Sequence, residues 1–287
     1  DPNQDSYETN TPLKLTAVSD ENYIFDYWIV KDKDGNEENY DRDGDKIDIS
    51  HTLRLAVDKR MNIEPVYVPK SDSNPRIEFV DSNVETIVRS SDGIDKEVGL
   101  IFANEVRNIN YLNLSSKSLN GNLPDLKHFK NLEILDLRDV RTDELDLDGD
   151  DGKSALSSLS SLKELKLSDN DNIVGLKVIG ENLTNLEKVE FVNSSLTTDN
   201  IETAFYSYNL SNLKELNLKE NNITSIKGLE RLTNIEVLNL NSNQVSTDYE
   251  VLKEMSNLKE LYLNDNTVAL DKNILSNLGQ LEVLHLA

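Results

Sequence analysis

The feature that most constrains this chain is a short pattern that recurs eight times in its C-terminal part. The pattern is L-x-x-L-x-L-x-x-N, with other apolar residues at some leucine positions, as in LKELNLKEN (213–221) and LKELYLNDN (258–266). Successive copies begin 23, 30, 24, 27, 22, 23 and 23 residues apart. The copies begin at Ile109, Leu132, Leu162, Leu186, Leu213, Ile235, Leu258 and Leu281. Self-similarity at such a period predicts an array of stacked units.

Positions four and six of each copy lie two residues apart, so their side chains point to the same side of a short strand. One strand cannot bury two leucines by itself, whereas stacked copies pair their strands in parallel around a continuous apolar core. Of the 42 leucines in the chain, 37 lie in 109–287. We therefore predict a solenoid over 109–287 with a parallel sheet, its last copy cut short at LEVLHLA (281–287).

Position nine follows each predicted strand and is occupied in the regular copies by asparagine. An asparagine amide carries two donors and an acceptor, so we expect it to pair backbone groups of the turn and the next coil. The four asparagines are Asn170, Asn221, Asn243 and Asn266. Three copies depart from asparagine, at Lys117, Val140 and Ser194. We call this series of asparagine side chains the asparagine ladder, and the three departures predict that it is weakest in the first half of the solenoid.

The segments between the strands have apolar residues three or four apart, which predicts short helical or 3₁₀ turns. The 27-residue copy has room for a helix over 201–210, and the 30-residue copy carries an acidic insert, 142–154, expected as a surface loop. A solenoid end would expose its leucine core, so a cap is required before the first copy. We place it at 76–108, with a helix that begins after Asp81 and a second short helix over 94–102.

Residues 1–69 contain few leucines but alternate as strands do. We predict four strands, at 13–18, 23–30, 52–57 and 62–68, with a polar loop at 31–48 between the second and the third. Residues 70–75 contain no apolar side chain except proline, which is typical of a linker.

The repeats, preceded by a helical cap, resemble the internalin-type leucine-rich repeat surface proteins of Gram-positive bacteria. The segment 1–69, with Tyr23, Phe25 and Trp28 spaced as Tyr-x-Phe-x-x-Trp, resembles the bacterial B-repeat of that family. The three aromatic residues would then be core residues. The resemblance implies an α/β leucine-rich repeat solenoid with a parallel concave sheet, a helical N-terminal cap and a small N-terminal β-rich module. It also implies an extracellular or cell-wall attached bacterial protein.

Composition excludes several classes of function. A formal net charge of −23 argues against nucleic acid and anionic membranes as partners, and it favours a monomer at low salt. The chain has no cysteine and three histidines, and it contains no Gly-rich phosphate loop, so we expect no enzyme, no cofactor and no metal centre. Membrane insertion is not expected, because no apolar run approaches the about 20 residues that span a bilayer.

Two acidic loops, 41–48 and 146–151, place acids at alternate positions, as calcium loops do. Neither completes an EF-hand. With Asp41 as the first ligand, Lys46 stands where the glycine is needed and Thr52 stands where the final glutamate is needed. Solvated acidic turns are the simpler interpretation, and calcium binding is left open.

The candidate binding site is the concave face, formed by positions three, five and seven of each copy. Most of these residues are polar, and the exceptions are candidate interface anchors because exposed aromatic residues often anchor interfaces. We name Tyr111, Ile134, Val237, Tyr262, Val283 and His285. The predicted function is adhesin-like recognition of a protein, a host receptor among the candidates, or of a glycan. Two alternatives are a structural spacer of a modular cell-wall protein, without a ligand on this face, and an intracellular scaffold.

Overall fold

The computed structural model describes residues 11–19, 22–32, 37–40, 51–57, 61–71, 74–91, 94, 96, 99–149, 156–268 and 270–287. The chain divides into two compact units. The first unit contains Asp1–Glu78 with Ile94–Glu105, and the second contains Phe79–Gly93 with Val106–Ala287. Residues 94–105, which the sequence pattern assigns to the cap, thus group with the β-rich segment. The division into module, linker, cap and solenoid stays a prediction.

The first unit consists of short antiparallel sheets. Its strands are β1 (Thr11–Ala17), β2 (Tyr23–Asp32), β3 (Glu37–Tyr40), β4 (His51–Val57) and β5 (Met61–Pro69). Strand β1 pairs with β4, and β2 pairs with both β3 and β5. Four of these strands lie where the alternation predicts them. The fifth, β3, lies inside the predicted polar loop 31–48, of which residues 33–36 and 41–48 are outside the described part of the chain.

Phe25 and Trp28 form the core of this unit, with exposed fractions of 3% and 7% and ring centroids 5.4 Å apart. The two residues are three apart and still share one side, because the pairing of β2 with β5 shifts register between Phe25 and Tyr27. Tyr23 is 47% exposed, so its assignment to the core is wrong. It pairs with Pro69, the last residue of β5, where the sheet ends.

Helix α1 (Ser82–Arg89) confirms the predicted N-cap, since the Asp81 side chain accepts a hydrogen bond from the backbone N–H of Asn83 at 2.8 Å. Helix α2 spans Ala103–Val106, and the described residues of 94–102 are not helical. The predicted second helix over 94–102 is therefore wrong. Phe102 instead forms an isolated antiparallel bridge with Arg76, and the carbonyl of Ile101 accepts the N–H of Ile77 at 2.8 Å.

The second unit contains the predicted repeats. Its strands are β6 (Tyr111–Asn113), β7 (Ile134–Asp136), β8 (Leu145–Asp146), β9 (Glu164–Lys166), β10 (Ile173–Val174), β11 (Lys188–Glu190), β12 (Glu215–Asn217), β13 (Val237–Asn239), β14 (Glu260–Tyr262) and β15 (Val283–His285). All except β8 and β10 form one eight-stranded parallel sheet, in the order β6-β7-β9-β11-β12-β13-β14-β15. The sheet confirms the predicted fold class.

Every neighbouring pair in this sheet is in register, so equivalent positions of the copies form straight rows. Leu112, Leu135 and Leu165 begin the row of position four, and Leu114, Leu137 and Leu167 begin the row of position six. Each of these side chains is fully buried. Positions four and six therefore form the continuous core that the sequence predicts.

Helical segments return the chain between the strands on the other side of the core. They comprise α3 (Lys177–Asn182), α4 (Thr198–Phe205) and α5 (Lys272–Asn277), with 3₁₀ turns at Pro124–His128, Leu156–Ser158, Lys227–Leu229 and Tyr249–Glu254. Helix α4 begins three residues before the predicted segment 201–210, because Thr197 and Asn200 form a capping box there. A helix is about 10 Å wide and paired strands are about 4.8 Å apart, so the strands line the concave side.

The acidic insert 142–154 departs from its prediction as a surface loop. Strand β8 lies within it and pairs in parallel with β10, and Leu145 and Leu147 are 1% and 0% exposed. Two leucines at alternate positions were enough to add a strand in the middle of the acidic run. The rest of the insert, 150–154, lies outside the described residues.

The position-nine asparagines form the predicted ladder, but they bridge to the preceding coil rather than to the next one. Asn170 donates from Nδ2 to the carbonyl of Leu137 at 2.8 Å, and its Oδ1 accepts the N–H of Val140 at 3.0 Å. Asn221 and Asn243 are buried and repeat this arrangement. Ser194 replaces the asparagine in part, since its Oγ donates to the Leu167 carbonyl at 3.1 Å.

Candidate functional site

The concave face consists of positions three, five and seven of the copies, from Tyr111, Asn113 and Ser115 to Val283, His285 and Ala287. It carries five acidic and four basic side chains. The acids are Asp136, Glu164, Glu190, Glu215 and Glu260, and the bases are Arg138, Lys166, Lys188 and Lys219. The face is nearly neutral in a chain of net charge −23, so the acidic surplus lies elsewhere on the molecule.

The register separates the six predicted anchors into two groups. Tyr111 pairs with Ile134 on adjacent strands, and we call them the N-terminal pair. The other four occupy β13, β14 and β15 at the opposite end of the sheet, and we call them the C-terminal cluster. The cluster consists of Val237, Tyr262, Val283 and His285. Its two rings meet edge to face, with centroids 5.0 Å apart and planes at 79°.

Charged residues that neutralise one another lie between these groups. The Nζ of Lys188 lies 3.1 Å from a carboxylate oxygen of Glu190, 3.3 Å from one of Glu215 and 3.9 Å from one of Glu164. Partial burial lowers the pKa of Lys188, but its hydrogen bonds to Glu190 and Glu215 outweigh burial, and the pKa lies above its ordinary value. The middle of the face is therefore already paired and offers little free charge to a partner.

Asp136 is a fully buried acid on this face, and Arg138 neutralises it. The guanidinium donates from Nε to Oδ1 at 2.9 Å and from Nη2 to Oδ2 at 2.6 Å, which is a bidentate pair. Burial raises the pKa of Asp136, but the hydrogen bonds from Arg138 outweigh it and hold the pKa below its ordinary value. The pair fixes the Arg138 side chain beside the N-terminal pair.

Three asparagines next to the C-terminal cluster are site residues that the choice of apolar anchors missed. The Oδ1 atoms of Asn239, Asn241 and Asn264 accept the backbone N–H groups of Asn241, Asn264 and Ala287 at 3.0, 2.8 and 2.8 Å. A backbone N–H can only donate, so each contact identifies the oxygen and directs Nδ2 away. The Nδ2 groups have no hydrogen-bond acceptor in the part of the chain that the structure describes. The sequence signal was asparagine at position seven of two neighbouring copies, Asn241 and Asn264, with Asn239 at position five.

Glu260 lies between the two valines of the C-terminal cluster. Its register partners are Val237 on one side and Val283 on the other. The Tyr262 hydroxyl donates to Glu260 Oε2 at 2.6 Å, and this hydrogen bond raises the pKa of the Tyr262 phenol. The ring of Tyr262 is thus held in place by a neighbouring carboxylate as well as by His285.

The described residues give no support to a metal centre. Among them, no group of three or more histidine, aspartate or glutamate side chains could hold a metal ion. Asp146 Oδ1 accepts the N–H of Asp148 at 2.9 Å, and Asp148 pairs with Lys177 at 2.9 Å, so these acids have protein partners. The loop 41–48 and residues 150–151 lie outside the described part. No described helix is long and apolar enough to cross a membrane.

Comparisons with known proteins agree with the repeat architecture. A family model for two copies of leucine-rich repeats matches residues 211–254. No curated protein matches the chain. Internalin C2 of Listeria monocytogenes is 25% identical over 72% of this chain and 84% of its own, with a TM-score of 0.59. A leucine-rich repeat protein of Leptospira interrogans is 25% identical over 64% of this chain and 44% of its own, with a TM-score of 0.52. The chain therefore has the leucine-rich repeat fold and is structurally similar to a Listeria internalin.

Proposed function

We propose that this chain is a binding protein of a bacterial cell surface or secreted fraction, which recognises a protein or a glycan through its concave face. The observation that carries the proposal is the C-terminal cluster, four side chains on three neighbouring strands of the parallel sheet that include two aromatic rings in contact. Aromatic residues anchor interfaces because they bury a large area at a low cost in side-chain entropy. The similarity to an internalin supports the surface location and the adhesin-like role.

The electrostatics of the face supports the same role. An interface core is depleted in unpaired charge, because a charge that loses water without gaining a partner is costly. On this face Lys188 and Arg138 are each paired with acids of the same face. A partner can therefore cover Lys188 and Arg138 without leaving these two charges unpaired.

The proposal is tested with the double substitution of Val237→Asp and Tyr262→Asp. We expect it to weaken binding of a purified partner at least about tenfold, since two carboxylates would replace apolar anchors in the contact. The matched control adds the same two charges on the helical side of the repeats, at Tyr206 and Leu275, which are 37% and 38% exposed. Binding is measured by surface plasmon resonance. A partner that binds the double variant as tightly as the wild type would favour the spacer role instead.

A further inference from the structure

The C-terminal cluster lies beside three side-chain amides whose orientation is set by the backbone. Asn239, Asn241 and Asn264 hold their oxygens on backbone N–H groups, and their six Nδ2 hydrogens have no acceptor within the described residues. We propose that these amides and the C-terminal cluster form a subsite for a neutral oligosaccharide. This inference rests on the proposed function, since it assigns a class of ligand to the same face.

The charges around the amides select against acidic ligands. Lys219 lies beside Asn241 in the row of position seven and is paired with Glu220 at 2.8 Å. Lys259, next to Glu260 in the sequence, is paired with Glu236 at 2.5 Å. Glu260 lies inside the cluster with no cation among its hydrogen-bond partners. A phosphate, a carboxylate or an acidic peptide would therefore meet uncharged donors and a negative charge. The acceptors that fit are neutral ones.

The same surface also offers acceptors and an apolar contact. Glu260 accepts one hydrogen bond, from the Tyr262 hydroxyl, and a carboxylate has room for several more. The rings of Tyr262 and His285 lie next to it. A sugar hydroxyl both donates and accepts, and a sugar ring has an apolar face that packs against aromatic rings. Amide donors, a carboxylate acceptor and aromatic rings together match that chemistry.

The spacing within a row argues against an extended polypeptide that runs across the strands. Asn241 and Asn264 occupy the same position of neighbouring copies, which places equivalent groups about 4.8 Å apart. In an extended chain, carbonyls on one side recur only about every 6.6 to 6.8 Å. The two periods diverge by about 2 Å at each step, so a polypeptide that crosses the strands along this row would engage one amide and lose the next. Hydroxyl groups on both edges of a sugar ring have no such fixed period.

The test follows the side-chain amides directly. Chitohexaose, cellohexaose and mannohexaose, each at about 10 mM so that even a millimolar affinity is detected, are added to the ¹⁵N-labelled full chain. We expect at least one of them to shift the Nδ2 resonances of Asn239, Asn241 and Asn264 in a saturable way. A 12-residue Gly-Ser peptide serves as the polypeptide probe. Nδ2 resonances that do not shift with any of the three sugars, or that shift with the peptide alone, would overturn the inference.

Isosteric substitutions provide the second measurement. Asn241→Asp and Asn264→Asp keep the oxygen that accepts the backbone N–H, but they replace the free donor with an acceptor. Each should weaken sugar binding about tenfold, with the fold retained. Asn113→Asp is the matched control, because Asn113 Oδ1 accepts the N–H of Ser115 at the opposite end of the same face. Equal weakening by the control would show a general effect of charge and overturn the assignment.

Failure of this inference is distinguishable from failure of the proposed function. If no sugar shifts the Nδ2 resonances and the double substitution at Val237 and Tyr262 abolishes partner binding, the oligosaccharide subsite is wrong and the concave-face function stands. If no sugar shifts the Nδ2 resonances and the double variant still binds its partner, both the oligosaccharide subsite and the concave-face function are wrong.

Discussion

Substitution of Asn221 by alanine is the sharpest test of how the repeats are held together. The Asn221 amide donates to the carbonyls of Phe191, Leu218 and Lys219 at 2.6, 2.9 and 3.1 Å. Its Oδ1 accepts the N–H groups of Ser194 and Leu196 at 3.1 and 2.9 Å. One side chain therefore pairs five backbone groups in two adjacent coils.

The loss of stability in Asn221→Ala follows from the backbone groups that the substitution leaves without a hydrogen-bond partner. Ser194 and Leu196 are 1% and 3% exposed, so their N–H groups would have no ready access to water. A buried donor left unpaired costs about 1 to 3 kcal/mol, and the carbonyls lose their donors as well. We expect the free energy of unfolding to fall by about 3 to 5 kcal/mol, a large part of the about 5 to 15 kcal/mol of an ordinary domain.

Asn222→Ala is the matched control, since Asn222 is the next residue and its side chain is exposed. Unfolding in urea should be followed by circular dichroism, because the one tryptophan, Trp28, lies in the other unit. Hydrogen exchange at the amides of Ser194 and Leu196 should accelerate in the variant. A loss within about 1 kcal/mol of the control, with unchanged exchange, would refute the reasoning by showing that other groups satisfy these donors.

Two further substitutions test the face and the helical side. Arg138→Ala should cost about 1 to 3 kcal/mol at neutral pH, less than a fully buried pair because the Arg138 side chain is 45% exposed. Since the pKa of Asp136 is lowered in the folded protein, the pair stabilises above about pH 4 and its contribution is lost as pH falls through the folded pKa. The urea midpoints of wild type and variant should therefore converge in acid, and a constant difference would contradict the assignment. Gly180→Ala should destabilise by about 1 to 3 kcal/mol, because a Cβ there would overlap the ring of Tyr208 and lie 2.6 Å from the Ala204 carbonyl oxygen. Gly279→Ala meets nothing within 4 Å and should be neutral in the same thermal melt, whereas equal melting temperatures for both would refute the clash.

The repeat positions could be predicted from sequence because each has one dominant physical demand. Leucine at positions four and six has to be buried, and the in-register pairing of the strands places these two positions in the core of every copy. The backbone at position eight shows what the pattern leaves out. It is left-handed in seven copies, at Ser116, Asp139, Asp169, Asn193, Glu220, Ser242 and Asp265. Four of them are aspartate or asparagine, which tolerate that conformation, but Ser116, Glu220 and Ser242 have no such local preference. In these three copies the turn is therefore imposed by stacking.

The candidate site was only partly predictable. Alternation along each strand shows which side chains face outward, and so it identified Tyr262 and Val237. It does not show which atom of an asparagine faces outward, because that depends on a backbone N–H in the next coil. The hydrogen bond between Asn241 Oδ1 and Asn264 N connects residues 23 apart and has no local signature. The strand at Leu145 was missed for a similar reason, since its partner Ile173 lies in the next copy.

The direction of the asparagine ladder has a consequence for the order in which the repeats fold during synthesis. Asn170 pairs with groups at 137 and 140, and Asn243 pairs with the Leu218 carbonyl and the Ile223 N–H, in each case one coil nearer the N-terminus. During synthesis a coil therefore keeps unpaired buried groups until the following coil has left the ribosome. Folding should therefore advance one repeat behind the emerging chain, because the Leu137 carbonyl and the Val140 N–H lack their partner until Asn170 has left the ribosome.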